Sequence, residues 1–187
     1  MNSDTFSEEL SYITDDKLRM LVREYIDTEV KPYFFEIAAS TTGKHHPDID
    51  LGKGGLVRHT KMCVRVCVEL LELRMWSAID SDCAVAAMII HDTQKLGDCK
   101  TKYTAHDHPL WAANSFHWFA KRYPEYQELK EKVEIICDSV SSHMGQWNTN
   151  NHSQIILPTP QTPQQKFVHL VDFISSRKFI GNYNYAL

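Results

Sequence analysis

Met88-Ile89-Ile90-His91-Asp92-Thr93-Gln94-Lys95 is the stretch on which the reading of this chain turns. An apolar run from Ala84 to Ile90 leads straight into a histidine and a carboxylate. The run reads as the middle of a buried helix. A charged Asp92 at its end loses hydration and needs hydrogen bonds or a cation to offset the loss. A metal ion is the strongest compensation, and histidine is a natural co-ligand. The plainer alternative is a His-Asp pair fraying from a helix C-terminus, with Lys95 favouring the dipole there.

Outward from this segment the periodicity predicts helices and no strands. Asp82 to about Lys95 is the helix that carries His91-Asp92. Before it, Leu56 to about Trp76 forms a long helix with Leu56, His59, Cys63, Val66, Leu70 and Leu73 as one stripe. A lone histidine in such a stripe is more often a satisfied core residue than a ligand. Earlier still, Asp15 or Asp16 caps a helix to about Glu29, and Tyr33 to Ala39 makes a short one after Pro32. Ser40 to Gly55 is a loop carrying Lys44-His45-His46-Pro47 and Lys53-Gly54-Gly55. Loops of this composition serve as site walls or as plain solvated surface.

After the central segment, Gly97 to Asp107 reads as a polar loop with Lys100 and Lys102. His108-Pro109 opens a helix with His108, Ala112, Ser115 and Phe119 on one face. Tyr126 to about Trp147 follows, with Ile136, Val140, His143 and Trp147 aligned. Thr162-Pro163-Gln164-Gln165 has the form of a capping box that starts a last helix to about Phe179. Val168, Val171, Asp172 and Ser175 share its face, making Asp172 a second buried carboxylate. The expected architecture is an all-α, single-domain bundle of six to seven helices over residues 1–187, with N-terminal helices in 1–43 and the core in 44–178.

Composition narrows the class. With 187 residues, 43% hydrophobic and 24% charged, the chain suits one soluble domain with a real core. A net charge of −4 argues against a broad nucleic-acid-binding surface. No stretch is apolar enough to span a membrane, and the polar, acidic Met1–Glu9 is not a secretory signal. Five cysteines, Cys63, Cys67, Cys83, Cys99 and Cys137, form no C-x-x-C pair and point to reduced thiols and a cytoplasmic setting. Cys63 and Cys67, four apart, give a weak metal hint beside the commoner role of buried small hydrophobes.

Five helices thus each place ionisable groups on an apolar face: His59, His91 with Asp92, His108, His143 and Asp172. Left uncompensated, such a core is very costly. Four imidazoles and two carboxylates suit two ions bridged by a carboxylate, for which Asp92 is the natural choice. The nitrogen-rich set favours Mn, Fe, Co, Ni or Zn over Mg or Ca.

This ordered set, H…HD…H…H…D, resembles the HD-domain metal-dependent phosphohydrolases. The resemblance covers roughly residues 44–178 and is closest to the HD nuclease domain of YhaM-type 3′→5′ exoribonucleases. Its carriers are His45-His46, Gly54-Gly55-Leu56-Val57-Arg58-His59-Thr60, Ser142-His143-Met144-Gly145-Gln146, Thr162-Pro163, Val171-Asp172 and Arg177. Met144 stands where those relatives usually show a second histidine. Their N-terminal nucleic-acid-binding module has no counterpart here, so the implied substrate is a nucleotide or short oligonucleotide. The resemblance implies cleavage of a phosphoester by a metal-activated hydroxide, with Asp92 and Lys95 as catalytic groups. His59, His91, Asp92 and Asp172 would hold one ion, and Asp92, His108 and His143 the other. Lys95, His45, His46 and Arg177 would contact phosphate, with Lys44 and Lys53 as further candidates, and Trp147 would stack on a base or pack in the core. His106 competes with His108, whose His-Pro start fits better. Two other readings share the ligand count: a diiron oxygenase on the same fold, and a non-catalytic nucleotide-sensing module.

Overall fold

The computed structural model describes residues 1–97 and 103–181; Cys99, Lys100 and Lys102 lie outside the described residues. Among the described residues the eight α-helices are α1 (Ser7–Ser11), α2 (Asp16–Thr28), α3 (Gly55–Glu72), α4 (Ser81–Ile90), α5 (His108–Arg122), α6 (Lys130–Ser141), α7 (Pro163–Ser175) and α8 (Lys178–Gly181). Among the described residues there is no β-strand, and no helix is long and apolar enough to cross a membrane. The expected all-α bundle is the observed one.

The bundle is built around α4. Every residue from Asp82 to Ile90 is buried, so this helix has no solvent face. A helix apolar on all sides is stable only with neighbours all round it. Here α3, α6 and α7 pack against it most extensively, with α1, α2 and α5 completing the shell. Truncating a fully buried residue such as Ile90 to alanine should cost about 2–5 kcal/mol. The start of α4 is pinned by polar groups. Asp80 caps it through the Cys83 N–H, and Asp80 also exchanges two hydrogen bonds with the Gln164 amide of α7. Asp82 accepts from the backbone N–H groups of Thr14 and Asp15, at 2.8 Å each.

The other helices follow local rules. Asp15 accepts from the N–H groups of Lys17 and Leu18 and caps α2, which buries Leu18, Leu21, Val22, Tyr25 and Ile26. Tyr25 reaches the Thr93 hydroxyl at 3.1 Å and ties α2 to the turn after Asp92. Thr162 and Gln165 form the capping box at the start of α7, with Pro163 at the first helical position.

Several boundaries differ from the sequence expectation. The N-terminal 3₁₀ turn Asn2–Phe6 and α1 went unrecognised, although Phe6 and Leu10 enter the core. Tyr33–Ala39 is not a helix; a 3₁₀ turn, Pro32–Phe35, stands there. In α3 the buried stripe turns toward Val64 and Cys67, and Leu73 is exposed because the helix stops at Glu72. The expected continuous helix from Tyr126 to Trp147 is broken into a 3₁₀ turn (Pro124–Leu129), α6, and a second 3₁₀ turn (Gly145–Trp147). Gly145 has φ +56°, a left-handed conformation that cannot continue a right-handed helix. The helix begun at Ser81 ends at Ile90, not Lys95, and the last helix is split between Ser175 and Lys178.

Candidate metal centre

Each helix-end break sets a histidine. His91 caps the C-terminus of α4, His108 opens α5, and His143 lies just beyond α6. In all three, Nδ1 donates to a main-chain carbonyl three residues earlier: Met88, Ala105 and Val140, each at 2.7 Å. A carbonyl only accepts, so Nδ1 carries a proton, and in the neutral ring Nε2 is then the lone pair aimed inward. This is the tautomer a metal-binding imidazole needs.

His59 is different because it sits inside α3, where backbone carbonyls are already engaged. Its Nδ1 faces the buried Asp50 carboxylate at 3.6 Å, and its Nε2 lies 3.1 Å from Asp172 Oδ1. Asp50 comes from the 3₁₀ turn Asp48–Asp50, which is pressed onto the start of α3. The approach is close: a Cβ at Gly55 would lie 2.0 Å from the Asp50 carbonyl oxygen. Asp50 also faces His46 Nδ1 at 3.4 Å.

The inward-facing atoms form two nests. His59, Cys63, His91 and Asp172 place ligand atoms within 4.8 Å of one another, and so do Asp92, His108 and His143. Asp92 lies between the nests. Its Oδ1 is 3.0 Å from His108 Nε2 and 3.8 Å from His143 Nε2, while Oδ2 is 3.4 Å from His91 Nε2. The Lys95 ammonium lies 2.5 Å from Oδ2. Asp172 Oδ1 is 3.8 Å from His91 Nε2.

Two observations test whether these residues suit a cation. First, His91 Nε2 and Asp92 Oδ1 are fully buried without a hydrogen-bond partner. Such orphaned groups are expensive unless something outside the protein atoms satisfies them. Second, His108 Nε2 and His143 Nε2 stand 3.3 Å apart. As neutral rings with protonated Nδ1 atoms they oppose two lone pairs, a contact that a cation relieves. Donors around a single ion at about 2.0–2.3 Å stand about 3–3.6 Å apart, close to the separations seen here. The residues fit.

The electrostatics favour the ligating protonation state at His143, Asp92 and Asp172. Burial, together with His91 and His108, pushes His143 down to about 3, so it is neutral. Burial works against the Asp92 charge, but Lys95 and His91 outweigh it and hold the carboxyl well below its usual range. Asp172 is likewise drawn down, against burial, by His59 and His91. His59 goes the other way. Burial would lower it, yet Cys63, Asp172 and Asp50 raise it well above an ordinary imidazole.

A cavity of about 460 Å³ opens over the centre, lined by Lys95, His108, His143, Asp172, His45, His46, His106, Trp147 and Arg177. His59, His91 and Asp92 lie beneath this lining. The Trp147 ring stacks on Phe173 at 5.7 Å and 15°, and the Arg177 guanidinium lies 4.2 Å from the Phe173 centroid. Trp147 remains 38% exposed, so its packing on Phe173 leaves part of the ring at the cavity. Arg177 spends two N–H groups locally, on the Phe173 carbonyl and the Ser176 hydroxyl. Lys53 turns away to Glu36 at 2.8 Å, and neither it nor Lys44 lines the cavity. His106 faces the Ile155 carbonyl, while His108 enters the cluster.

Cys63, which carries a weak metal hint in the sequence through its spacing from Cys67, enters the inner nest, that of His59, His91 and Asp172, one helical turn from His59. Two further residues carry no such signal. Asp50 gave no signal within its loop. His169, whose Nδ1 donates to the His143 carbonyl at 2.7 Å, fixes the backbone at that candidate ligand. A Cβ at Gly145 would lie 2.2 Å from the His169 ring.

The fold and site define an all-α protein with a buried His/Asp/Cys cluster that can hold a metal ion. No family model matches the chain, and neither a curated protein nor a solved structure matches it.

Proposed function

We propose that this chain is a metal-dependent phosphohydrolase that cleaves a phosphoester bond in a nucleotide or short oligonucleotide, using two divalent transition-metal ions. The observation that carries this reading is Asp92. Its two oxygens face separate nests of inward-aimed nitrogen atoms, the arrangement expected of a carboxylate bridging two ions. The ordered resemblance of the same residues to HD-domain phosphohydrolases supports it. When bound, such an ion pair supplies an acidified water as nucleophile and neutralises charge on phosphoryl oxygens.

The protein residues have distinct tasks. His59, His91, Asp172 and Asp92 would hold one ion; Asp92, His108 and His143 would hold the other. Lys95 rests on Asp92 from the cavity side and is long enough to turn its ammonium toward a phosphate oxygen once ions compete for that carboxylate. His45, His46 and Arg177 make the cavity wall suitable for an anionic substrate, and Trp147 offers a partly open ring for a base to stack on. The cavity volume lies within the range of small-molecule sites, about 300–1,000 Å³.

The test is metal analysis of the purified protein followed by a hydrolysis screen. Nucleotides and short oligonucleotides would be offered with Mn, Co, Ni and Mg. Close to two transition-metal equivalents and release of phosphate or nucleotide are expected. Lys95→Ala should slow turnover about 100-fold with metal content intact. Fully folded, active protein without metal would overturn the reading. Iron content with oxygen uptake and no hydrolysis would replace it with the oxygenase alternative.

A further inference from the structure

Cys63 has no place in the six-residue ligand set, yet its side chain lies among those ligands. His59 and Cys63 are one turn apart on the same face of α3, and both are buried. Cys63 Sγ is 3.5 Å from His59 Nε2 and 3.9 Å from Nδ1, so the sulfur lies nearer the inward-facing nitrogen. A hydrogen bond from the thiol to Nε2 would compete with Asp172, which is 3.1 Å from the same atom. Two donors on one tetrahedral ion, nitrogen at about 2.1 Å and sulfur at about 2.3 Å, stand about 3.6 Å apart. An independent observation points to the same ion: His91 Nε2, fully buried in this nest, has no hydrogen-bond partner.

We infer that the Cys63 thiolate is a direct ligand of the inner ion, together with His59, His91 and Asp172. The inference rests on the proposed metal centre and deepens it. As the sulfur–metal bond forms, the thiol proton passes to solvent. The inner nest then offers four donors from two helices and the His91 helix cap, two nitrogen, one oxygen and one sulfur, with Asp92 facing the outer nest. That set is softer than a purely His/Asp one and selects zinc, iron or cobalt over magnesium and manganese. The outer nest has no sulfur and lies under the open cavity, so its ion is the more exchangeable of the two.

X-ray absorption on the zinc-loaded full chain decides the matter. A sulfur neighbour at about 2.3 Å beside nitrogen or oxygen at about 2.0–2.2 Å is expected. The sulfur neighbour should persist in Cys67→Ser and vanish in Cys63→Ser, with zinc affinity weakened at least about tenfold. Cobalt-loaded protein should show a near-ultraviolet thiolate charge-transfer band with the same dependence, and Cys63→Ala provides a second variant should the serine protein fail to fold. Bound zinc with only nitrogen and oxygen neighbours would overturn the Cys63 assignment and leave the metal centre standing. So would a sulfur neighbour that survives Cys63→Ser. No zinc bound at all would overturn both.

Discussion

The cluster holds its histidines by two different means. His91, His108 and His143 each lean on a main-chain carbonyl three residues earlier, whereas His59 leans on the carboxylate of Asp50. The difference follows from position. At a helix end the carbonyls are short of intrahelical partners or the chain has not yet begun to coil, so a ring can claim one. Inside α3 nearly every carbonyl is taken, and the ring needs a side chain brought from outside. Three rings are therefore fixed by backbone geometry alone. The fourth depends on a separate turn, Asp48–Asp50, being pressed against the first residues of its helix.

The largest effect is expected where the nests meet. Asp92→Ala removes both oxygens that face the two sets of nitrogen atoms. Metal analysis should show both ions lost or weakened by more than about 100-fold, with hydrolysis abolished. A direct ligand should matter more than the outer-shell partners whose removal costs about 10–100-fold. If only the outer ion is lost, the nests are independent and Asp92 belongs to one of them.

Asp50→Ala sharpens the contrast between carbonyl-held and carboxylate-held rings. It should weaken the inner ion by about 10–100-fold and leave the outer ion nearly unchanged, as read by zinc competition titration. No side-chain change at Met88, Ala105 or Val140 has an equivalent effect on its histidine, because the bonding atom there belongs to the backbone. Equal losses from both ions in Asp50→Ala would show that His59 gains nothing special from its carboxylate.

The same contrast explains what was readable in the sequence. The central apolar run, the stripes on α2 and α7, and the six ionisable positions on apolar faces are local periodic signals, and they give the all-α bundle and the list of candidate ligands. Helix ends were harder to read. The break before Gly145 depends on one left-handed residue, and α4 stops at Ile90 although Thr93, Gln94 and Lys95 would all tolerate a helix. Asp50 was invisible because nothing within Ser40–Gly55 records that the turn will fold back onto Gly55. Cys63 is a mixed case. Its helical step from His59 was on the page, but a cysteine in an apolar stripe is explained equally well by packing. Only the inward aim of the neighbouring Nε2 atoms distinguishes the two.

The smallest expected step, about tenfold for one pH unit, and the most specific to this contrast, is the pH dependence of metal uptake. His59 is raised well above an ordinary imidazole because Cys63, Asp172 and Asp50 together outweigh its burial. Below that raised pKa the metal-free ring carries a second proton. A ligating imidazole must be neutral, so an inner ion has to displace that proton. Below the raised pKa, each unit of pH increase should tighten the inner ion about tenfold through the His59 proton. His143 behaves oppositely: pushed down to about 3 by burial and by His91 and His108, it is neutral throughout the working range and adds no such slope to the outer ion. Removing Asp50 takes away one group that raises His59, so the inner slope should level off at lower pH in Asp50→Ala. Zinc titrations against a competing chelator from about pH 6 to about pH 8 would measure both slopes. A pH-independent inner ion would mean that the carboxylate grip on His59 has no energetic consequence for binding, however distinct it is in geometry.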